Sequence, residues 1–239
     1  YDRVEWCFLK GILIQLGFDL EWVKLIMECV TSVTYRVRVN NDFSYSFAPS
    51  RGLRQGDPLS PYLLLLCAEG LTSLLIHEEE TGNLMGVKVC RGAPTLSHLL
   101  FADDSLILMK AENNNATSLR RALDEYCAAW GQMVSEAKSS IFFSPCTSVE
   151  SRVEVCNSLN IMTEAITDKY LGLPPIVGLD RTDTFQYLVD RVCSILNGWK
   201  EKKLSFGGKE TLLKAVAQAM PCYAMSVFKL SKQVCQGII

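Results

Sequence analysis

The chain has 239 residues, 49% of them hydrophobic and 21% charged, with a formal net charge of −2. That is long enough to bury a full core and too apolar for an intrinsically disordered segment. No uninterrupted apolar run approaches the roughly 18 residues that a membrane span needs, so no membrane partner is expected.

The charge is uneven along the chain. Residues 1–180 hold 15 Lys and Arg against 22 Asp and Glu, whereas residues 181–239 hold 9 against 4. An acidic body can place carboxylates on metal ions and a basic end can track a phosphate backbone, although a solvated basic helix has the same composition. Ten cysteines occur without one Cys-x-x-Cys pair, and only His77 and His98 could join them, so no zinc-ligand spacing exists. Most sit in apolar patterns such as Leu66-Cys67-Ala68, which predicts reduced, mostly buried thiols in an intracellular protein, nuclear or cytoplasmic. Residue 1 is Tyr and no signal peptide is visible, which reads as a fragment or a processed product.

Two amphipathic helices are predicted over residues 2–16 and 20–31, separated at Gly17. Apolar residues recur there at helical spacing (Trp6, Leu9, Leu13; then Trp22, Val23, Ile26, Val30). Residues 34–39 and 43–47 alternate around Asn40-Asn41-Asp42, turn chemistry that predicts a β-hairpin. A loop rich in Gly, Arg and Pro covers 49–58. A long helix follows over 59–80, begun by Pro58, Ser60 and Pro61 and closed by Gly82. Residues 86–90, 96–102 and 105–109 read as strands, and the last two flank Asp103-Asp104, which places that pair at a hairpin turn. A helix over 114–131, a strand over 139–143 and a short helix over 150–159 come next. Residues 170–174 are extended, and basic helices cover 182–203 and 209–220. The outcome is an α+β body through about residue 175 and then a helical appendage, with Pro174-Pro175 and Gly178 at the joint.

Phe101-Ala102-Asp103-Asp104 is the most informative tetrapeptide. Two carboxylates roughly 4 Å apart repel by about 4 kcal/mol at an effective dielectric near 20, which a cation would relieve. Magnesium takes one or two carboxylates plus substrate phosphates, and two ions about 4 Å apart can serve nucleotidyl transfer. An exposed Asp-Asp turn is the plain alternative. The apolar flanks Leu99-Leu100-Phe101 and Leu106-Ile107-Leu108 argue against it by predicting a turn within a buried sheet. The second cluster runs from Arg51 through Arg54-Gln55-Gly56-Asp57-Pro58 to Pro61. Its glycines let backbone approach a ligand, its arginines suit phosphate, and the following helix adds a positive end. A capped loop before a helix would read the same way on its own.

The order Arg-Gln-Gly-Asp-Pro-Leu-Ser-Pro, Phe-Ala-Asp-Asp, Gly131-x6-Lys138-Ser139 and Tyr170-Leu171-Gly172 resembles the reverse transcriptases of non-LTR (LINE-type) retrotransposons. The likeness is strongest to the lineage abundant in plants. It extends from Tyr1-Asp2-Arg3 to Gly207-Gly208-Lys209-Glu210 and Tyr223-Ala224-Met225. The resemblance implies a right-hand polymerase: a palm, an antiparallel sheet with packed helices, over 1–175, and a partial helical thumb over 176–239. It implies an RNA template, a DNA primer, dNTPs and two Mg2+ ions as partners, and leaves the oligomeric state open.

By the same resemblance Asp103 is a direct metal ligand and Asp104 its adjacent carboxylate, with Phe101 opening the motif. Arg54, Gln55 and Gly56 line the pocket where nucleotide meets template. Tyr1 packs under the nucleotide sugar, Lys138 protonates the departing pyrophosphate, and Tyr170, Leu171 and Gly172 grip the primer end. The basic stretch 200–214 holds the template–primer backbone. In the family the first metal-binding aspartate precedes the Tyr-Asp with which this chain begins, so Asp2 is not a ligand and the fingers are missing. Met133, Ser135 and Trp130 also depart from the usual Lys, Asn and small residue. The resemblance therefore implies a polymerase fragment with little or no activity as given. A non-catalytic retrotransposon remnant or nucleic-acid-binding module is the alternative.

Overall fold

A computed structural model of the chain describes residues 1–164, 170–174, 177–178, 181–200 and 204–238. They fall into two units, residues 1–164 and 165–239.

In the first unit, helices α1 (Trp6–Gln15) and α2 (Leu20–Thr31) form at the expected apolar repeats, and the Asp19 carboxylate caps α2 by accepting from Glu21 N at 2.9 Å. Helix α1 starts four residues later than predicted, because residues 1–5 are irregular and bonded to distant backbone. Gly52 N donates to Val4 O at 2.8 Å, Leu53 N to Tyr1 O at 2.9 Å, and Glu5 N to Trp130 O at 3.0 Å. Helix α3 (Ser60–Glu80) carries the main apolar stripe. By length and composition it could cross a membrane. In this fold its buried Leu63, Leu64 and Cys67 pack with Leu9, Leu13 and Val23, and its Leu71 and Leu75 pack with Leu119, Tyr126 and Val155. The latter three belong to α4 (Asn113–Trp130) and α5 (Val149–Leu159).

Trp130 joins the two cores. Its ring lies 4.8 Å from that of Tyr126, which meets Phe8 edge-on at 5.9 Å, and its indole N–H is buried without a partner among the described residues. The residue that departs from the usual small one at this position is thus a packing residue.

Among the described residues the strands form three separate antiparallel pairs: β1 (Arg38–Val39) with β2 (Asp42–Phe43), β3 (Val87–Lys88) with β4 (Thr95–Leu96), and β5 (His98–Phe101) with β6 (Asp104–Ile107). This is α+β, built from ladders shorter than the alternation suggested. The strand expected over 139–143 does not form. Its backbone bonds are Ser139 N to Glu136 O at 3.2 Å, within the preceding turn, and Ile141 N to Thr163 O at 2.9 Å, while Ile141 and Phe143 pack on the α3–α4 core. Apolar alternation there reflects side-chain anchoring without a partner strand.

The second unit holds α6 (Arg181–Lys200), α7 (Phe206–Leu212), α8 (Ala219–Val227) and α9 (Lys232–Ile238), around Phe185, Leu188, Ala224 and Val234. The helix expected over 209–220 runs from 206 to 227 with a π turn at Leu213–Ala217. Pro221 explains the irregularity: it has no N–H to give Ala217 O and its ring crowds that carbonyl, so the helix widens before it. Residues 201–203 of the expected basic helix lie outside the described residues. The thiols depart from expectation. All ten are free, but six are exposed and only Cys67 and Cys156 are buried, because most apolar runs here are one-sided helices.

Candidate active site

Strands β5 and β6 pair in register from His98–Ile107 to Phe101–Asp104, leaving Ala102 and Asp103 as a two-residue turn. Ala102 sits at φ 52, a left-handed conformation that costs a non-glycine residue on the order of 1 kcal/mol. The turn therefore holds its backbone against local preference, and the two carboxylates follow at once. Leu100 and Ile107 face the core, while Leu99 and Phe101 point outward at 44% and 60% exposure. The sequence expectation of a fully buried sheet around the turn is thus corrected: both aspartates are exposed. Among the described residues, neither side chain takes a hydrogen bond or an ion pair.

The loop of residues 51–59 is built differently. Asp57 turns back on the loop ahead of α3, its carboxylate accepting from Leu59 N at 2.8 Å, and Gly56 at φ 84 makes the bend that precedes it. Arg54, Gln55 and Gly56 are exposed, and among the described residues the side chains of Arg54 and Gln55 are unpaired. Arg51 instead pairs with Glu5 at 3.2 Å. Beside this loop lies a cavity of about 260 Å³, lined by Asp2, Arg51, Arg54, Asp57 and Ser60 and by Tyr35 and Phe47. Tyr1 is half-buried against the α1–α3 core next to it.

What brings Tyr1 and Asp2 to the loop is a pair of glycines. Gly52 is at φ +94, and a Cβ there would stand 2.8 Å from Asp2 O. Gly131 is at φ +80, and a Cβ there would stand 2.6 Å from Arg3 O. Residues 1–5 pass between these two bare backbones.

Lys138 ends a 3-10 turn (Glu136–Lys138) and is exposed. The turn is anchored through Glu136, whose carboxylate accepts from Asn160 at 2.6 Å and from Arg120 at 3.1 Å. These two bonds hold the Glu136 carboxyl below its ordinary pKa, Asn160 contributing most. No hydrogen bond or ion pair among the described residues joins Asp103 or Asp104 to Tyr1, Arg54, Gln55 or Lys138.

In the second unit, Tyr170, Leu171, Gly172 and Leu173 make a tight turn: Leu173 N donates to Tyr170 O at 3.0 Å, with Leu171 at φ 49 and Gly172 at φ 77. These angles match a type I′ turn, in which a leucine is strained. The Tyr223 hydroxyl donates to Leu171 O at 3.0 Å and holds the turn from α8.

Residues 1–189, most of the chain, match the family described as reverse transcriptase (RNA-dependent DNA polymerase). The chain is a member of the reverse transcriptase family. Over 57 residues it is 58% identical to an uncharacterized mitochondrial protein of Arabidopsis thaliana, covering 24% of this chain and 47% of that protein. Over 121 residues it is 32% identical to the retrovirus-related Pol polyprotein from type-1 retrotransposable element R2 of Nasonia vitripennis, covering 51% of this chain and 11% of that polyprotein. These likenesses place the reverse transcriptase with those of non-LTR elements. The chain spans less than half the length of either relative.

Reverse transcriptases use divalent metal ions. The hairpin tip fits one chemically. Its donors are two adjacent, unpaired carboxylates, and a hard divalent ion takes one or two carboxylates with substrate phosphates completing the shell. Among the described residues no group of three His, Cys, Asp or Glu side chains forms a closed cage.

Motif reading left unexplained what several residues around these segments do. Gly131 opens the Gly131-x6-Lys138-Ser139 motif and Gly52 lies in the Arg51–Pro61 cluster, but neither pattern says what backbone passes there. Only the fold shows that both exist to admit residues 1–5. Glu136, Arg120 and Asn160 carry no motif, and their role in presenting Lys138 depends on three separate elements meeting. Tyr223 lies within a matched segment, but its target is 52 residues away.

Proposed function

We propose that this reverse transcriptase region carries out RNA-directed DNA synthesis by two-metal nucleotidyl transfer, with its palm over residues 1–175 and a thumb over 176–239. The observation that carries this reading is the strained hairpin tip that leaves Asp103 and Asp104, consecutive in sequence, exposed and without a hydrogen bond or ion pair among the described residues, in a chain of this family. Asp103 and Asp104 would hold Mg2+, which would lower the pKa of the primer 3′-hydroxyl and neutralise charge on the triphosphate. The 3′-hydroxyl gives its proton to solvent as its oxygen bonds to the α-phosphorus of a dNTP, the bond from that phosphorus to the bridging oxygen breaks, and pyrophosphate leaves. Lys138 supplies the proton to the leaving group. Arg54 offers a forked donor to phosphate, Gln55 and the bare backbone of Gly56 face the nascent base pair, and Tyr1 supports the sugar. The Tyr170–Gly172 turn positions the primer end.

Catalysis of this kind rests on placed charge. The 239 residues supply two carboxylates at the tip and no third among the described residues. On their own they therefore extend primers weakly or not at all.

The test is Mg2+-dependent extension of a DNA primer on an RNA template. It compares this chain with the intact parent polyprotein, each with and without Asp103→Asn. The expected result is extension by the parent, abolished by Asp103→Asn, and background from the 239 residues. Strong extension by the isolated chain would overturn the inactivity. Silence in a folded parent that still binds RNA–DNA duplex would favour a non-catalytic binding module.

A further inference from the structure

Ser97 closes the base of the hairpin that carries Asp103 and Asp104. Its carbonyl accepts from Leu108 N at 2.7 Å, next to the His98–Ile107 pair that begins the ladder. Its hydroxyl, on a residue only 3% exposed, meets Glu79 Oε2 at 3.0 Å and His98 Nδ1 at 2.9 Å. A carboxylate can only accept, so the hydroxyl proton goes to Glu79. The serine oxygen then has only lone pairs left for His98, and the imidazole must carry a proton on Nδ1. Donation therefore runs one way, from His98 Nδ1–H to Ser97 O–H to the Glu79 carboxylate. The neighbours of Glu79 are disposed differently: Glu78 takes a fork from Arg121 at 2.7 and 2.8 Å, and Glu80 is exposed. Among the described residues, Glu79 is the one of these three glutamates whose carboxylate bonds to the hairpin.

We propose that Glu79, Ser97 and His98 are positioning residues, a latch that fixes the β5–β6 hairpin on α3 and so fixes where Asp103 and Asp104 stand. The tip has no anchor of its own. Neither aspartate takes a hydrogen bond or an ion pair among the described residues, and Ala102 is held at φ 52 against local preference. Placement must therefore come from the rest of the hairpin. Leu100 and Ile107 supply packing, which attracts without direction, whereas a chain of hydrogen bonds admits one orientation. The anchor point also matters. Helix α3 follows directly on the loop of residues 51–59, and Glu79 is its penultimate residue, so one rigid helix of roughly 30 Å is the reference for both loop and hairpin. The proposal rests on the polymerase reading for what the tip is placed to do, and on these three side chains for how it is placed.

The test begins with nitrogen-15 NMR of the histidine rings in the full 239-residue chain, which has only His77 and His98. Neutral His98 is expected as the Nδ1–H tautomer, and exposed His77 is the reference for the Nε2–H form that free imidazole side chains favour. Ser97→Ala is expected to return His98 to that form. It should also quicken amide exchange in the β5–β6 ladder by about fivefold, the usual weight of one hydrogen bond, and leave α4 unchanged. In the intact parent polyprotein, Ser97→Ala and His98→Ala are expected to lower kcat by roughly ten- to a hundredfold, with the KM for dNTP within about twofold. His98→Asn, whose amide nitrogen stands where Nδ1 does, should retain kcat. An Nε2–H tautomer in the unsubstituted chain, or exchange that quickens equally in α4 and the hairpin, overturns the latch. So does an active parent in which Ser97→Ala leaves kcat unchanged. A folded parent that makes no DNA sinks the polymerase reading instead, and the tautomer and exchange results then decide the latch alone.

Discussion

Replacing Gly131 with Ala tests the clamp on residues 1–5. Two costs arise at that position. The left-handed backbone at φ +80 penalises any Cβ by roughly 1–2 kcal/mol. The new Cβ would also stand 2.6 Å from Arg3 O and 2.9 Å from Glu5 Cγ. The first of these is main chain and cannot swing aside, so residues 3–5 must shift. That strains the Glu5 N to Trp130 O bond and adds roughly 1–3 kcal/mol of overpacking. The expected loss is about 2–5 kcal/mol, read by urea unfolding through tryptophan fluorescence, since Trp6, Trp22 and Trp130 all lie in the first unit. Gly82 is the matched control. It has φ +75, and a Cβ there would meet nothing within 4 Å, so Gly82→Ala carries the backbone cost alone, about 1–2 kcal/mol. A Gly131→Ala loss no larger than that of Gly82→Ala would refute the clamp.

The turn at Leu171 gives a second expectation. Leu171→Gly relieves the left-handed strain and should slow amide exchange at Leu173, whereas Tyr223→Phe removes the hydroxyl donor and should quicken it, both read by hydrogen exchange. Glu136 predicts a pH effect. Its folded pKa lies below the ordinary 4.5, so its contribution to stability is present above pH 4.5 and fades as pH falls through the depressed value. Glu136→Gln should therefore lose stability at pH 7 and show a flatter acid limb in thermal melts. Burial raises the Cys67 thiol to about 12 and keeps it protonated, so iodoacetamide at pH 8 should label Cys7, Cys29, Cys90, Cys146, Cys193 and Cys222 while sparing Cys67 until the chain unfolds. Rapid labelling of Cys67 in folded protein would contradict its place in the core.

The helices were legible because their signals are local. Apolar repeats, the break at Gly17 and Pro61 within the first turn of α3 act within a few residues of where they are read. The Asn40-Asn41 turn was equally plain, and both asparagines take the left-handed angles it demands. The strand at 139–143 misled because alternation reports a half-buried surface, and side-chain packing satisfies that pattern as well as a ladder does. At the candidate site, the motifs named Asp103, Asp104 and the Arg54–Asp57 loop, since residue types with that chemistry are conspicuous. Nothing in sequence could reveal that Gly131, Gly52 and residues 1–5 form one contact, or that Tyr223 reaches Leu171. Those facts depend on three-dimensional closure across 50 residues or more.

The passage of residues 1–5 between two bare glycine backbones also determines where this chain can tolerate mutation. At Asp2 and Arg3 the segment meets the two glycines through main-chain atoms that every amino acid possesses, and both side chains are exposed. Their identities matter little to the fold. The constraint falls instead on positions 52 and 131, where any side chain would occupy the space the segment needs. A saturation library scored for folding would show two strict columns far apart in the chain. Between them in space, and separate from both in sequence, would lie a permissive pair.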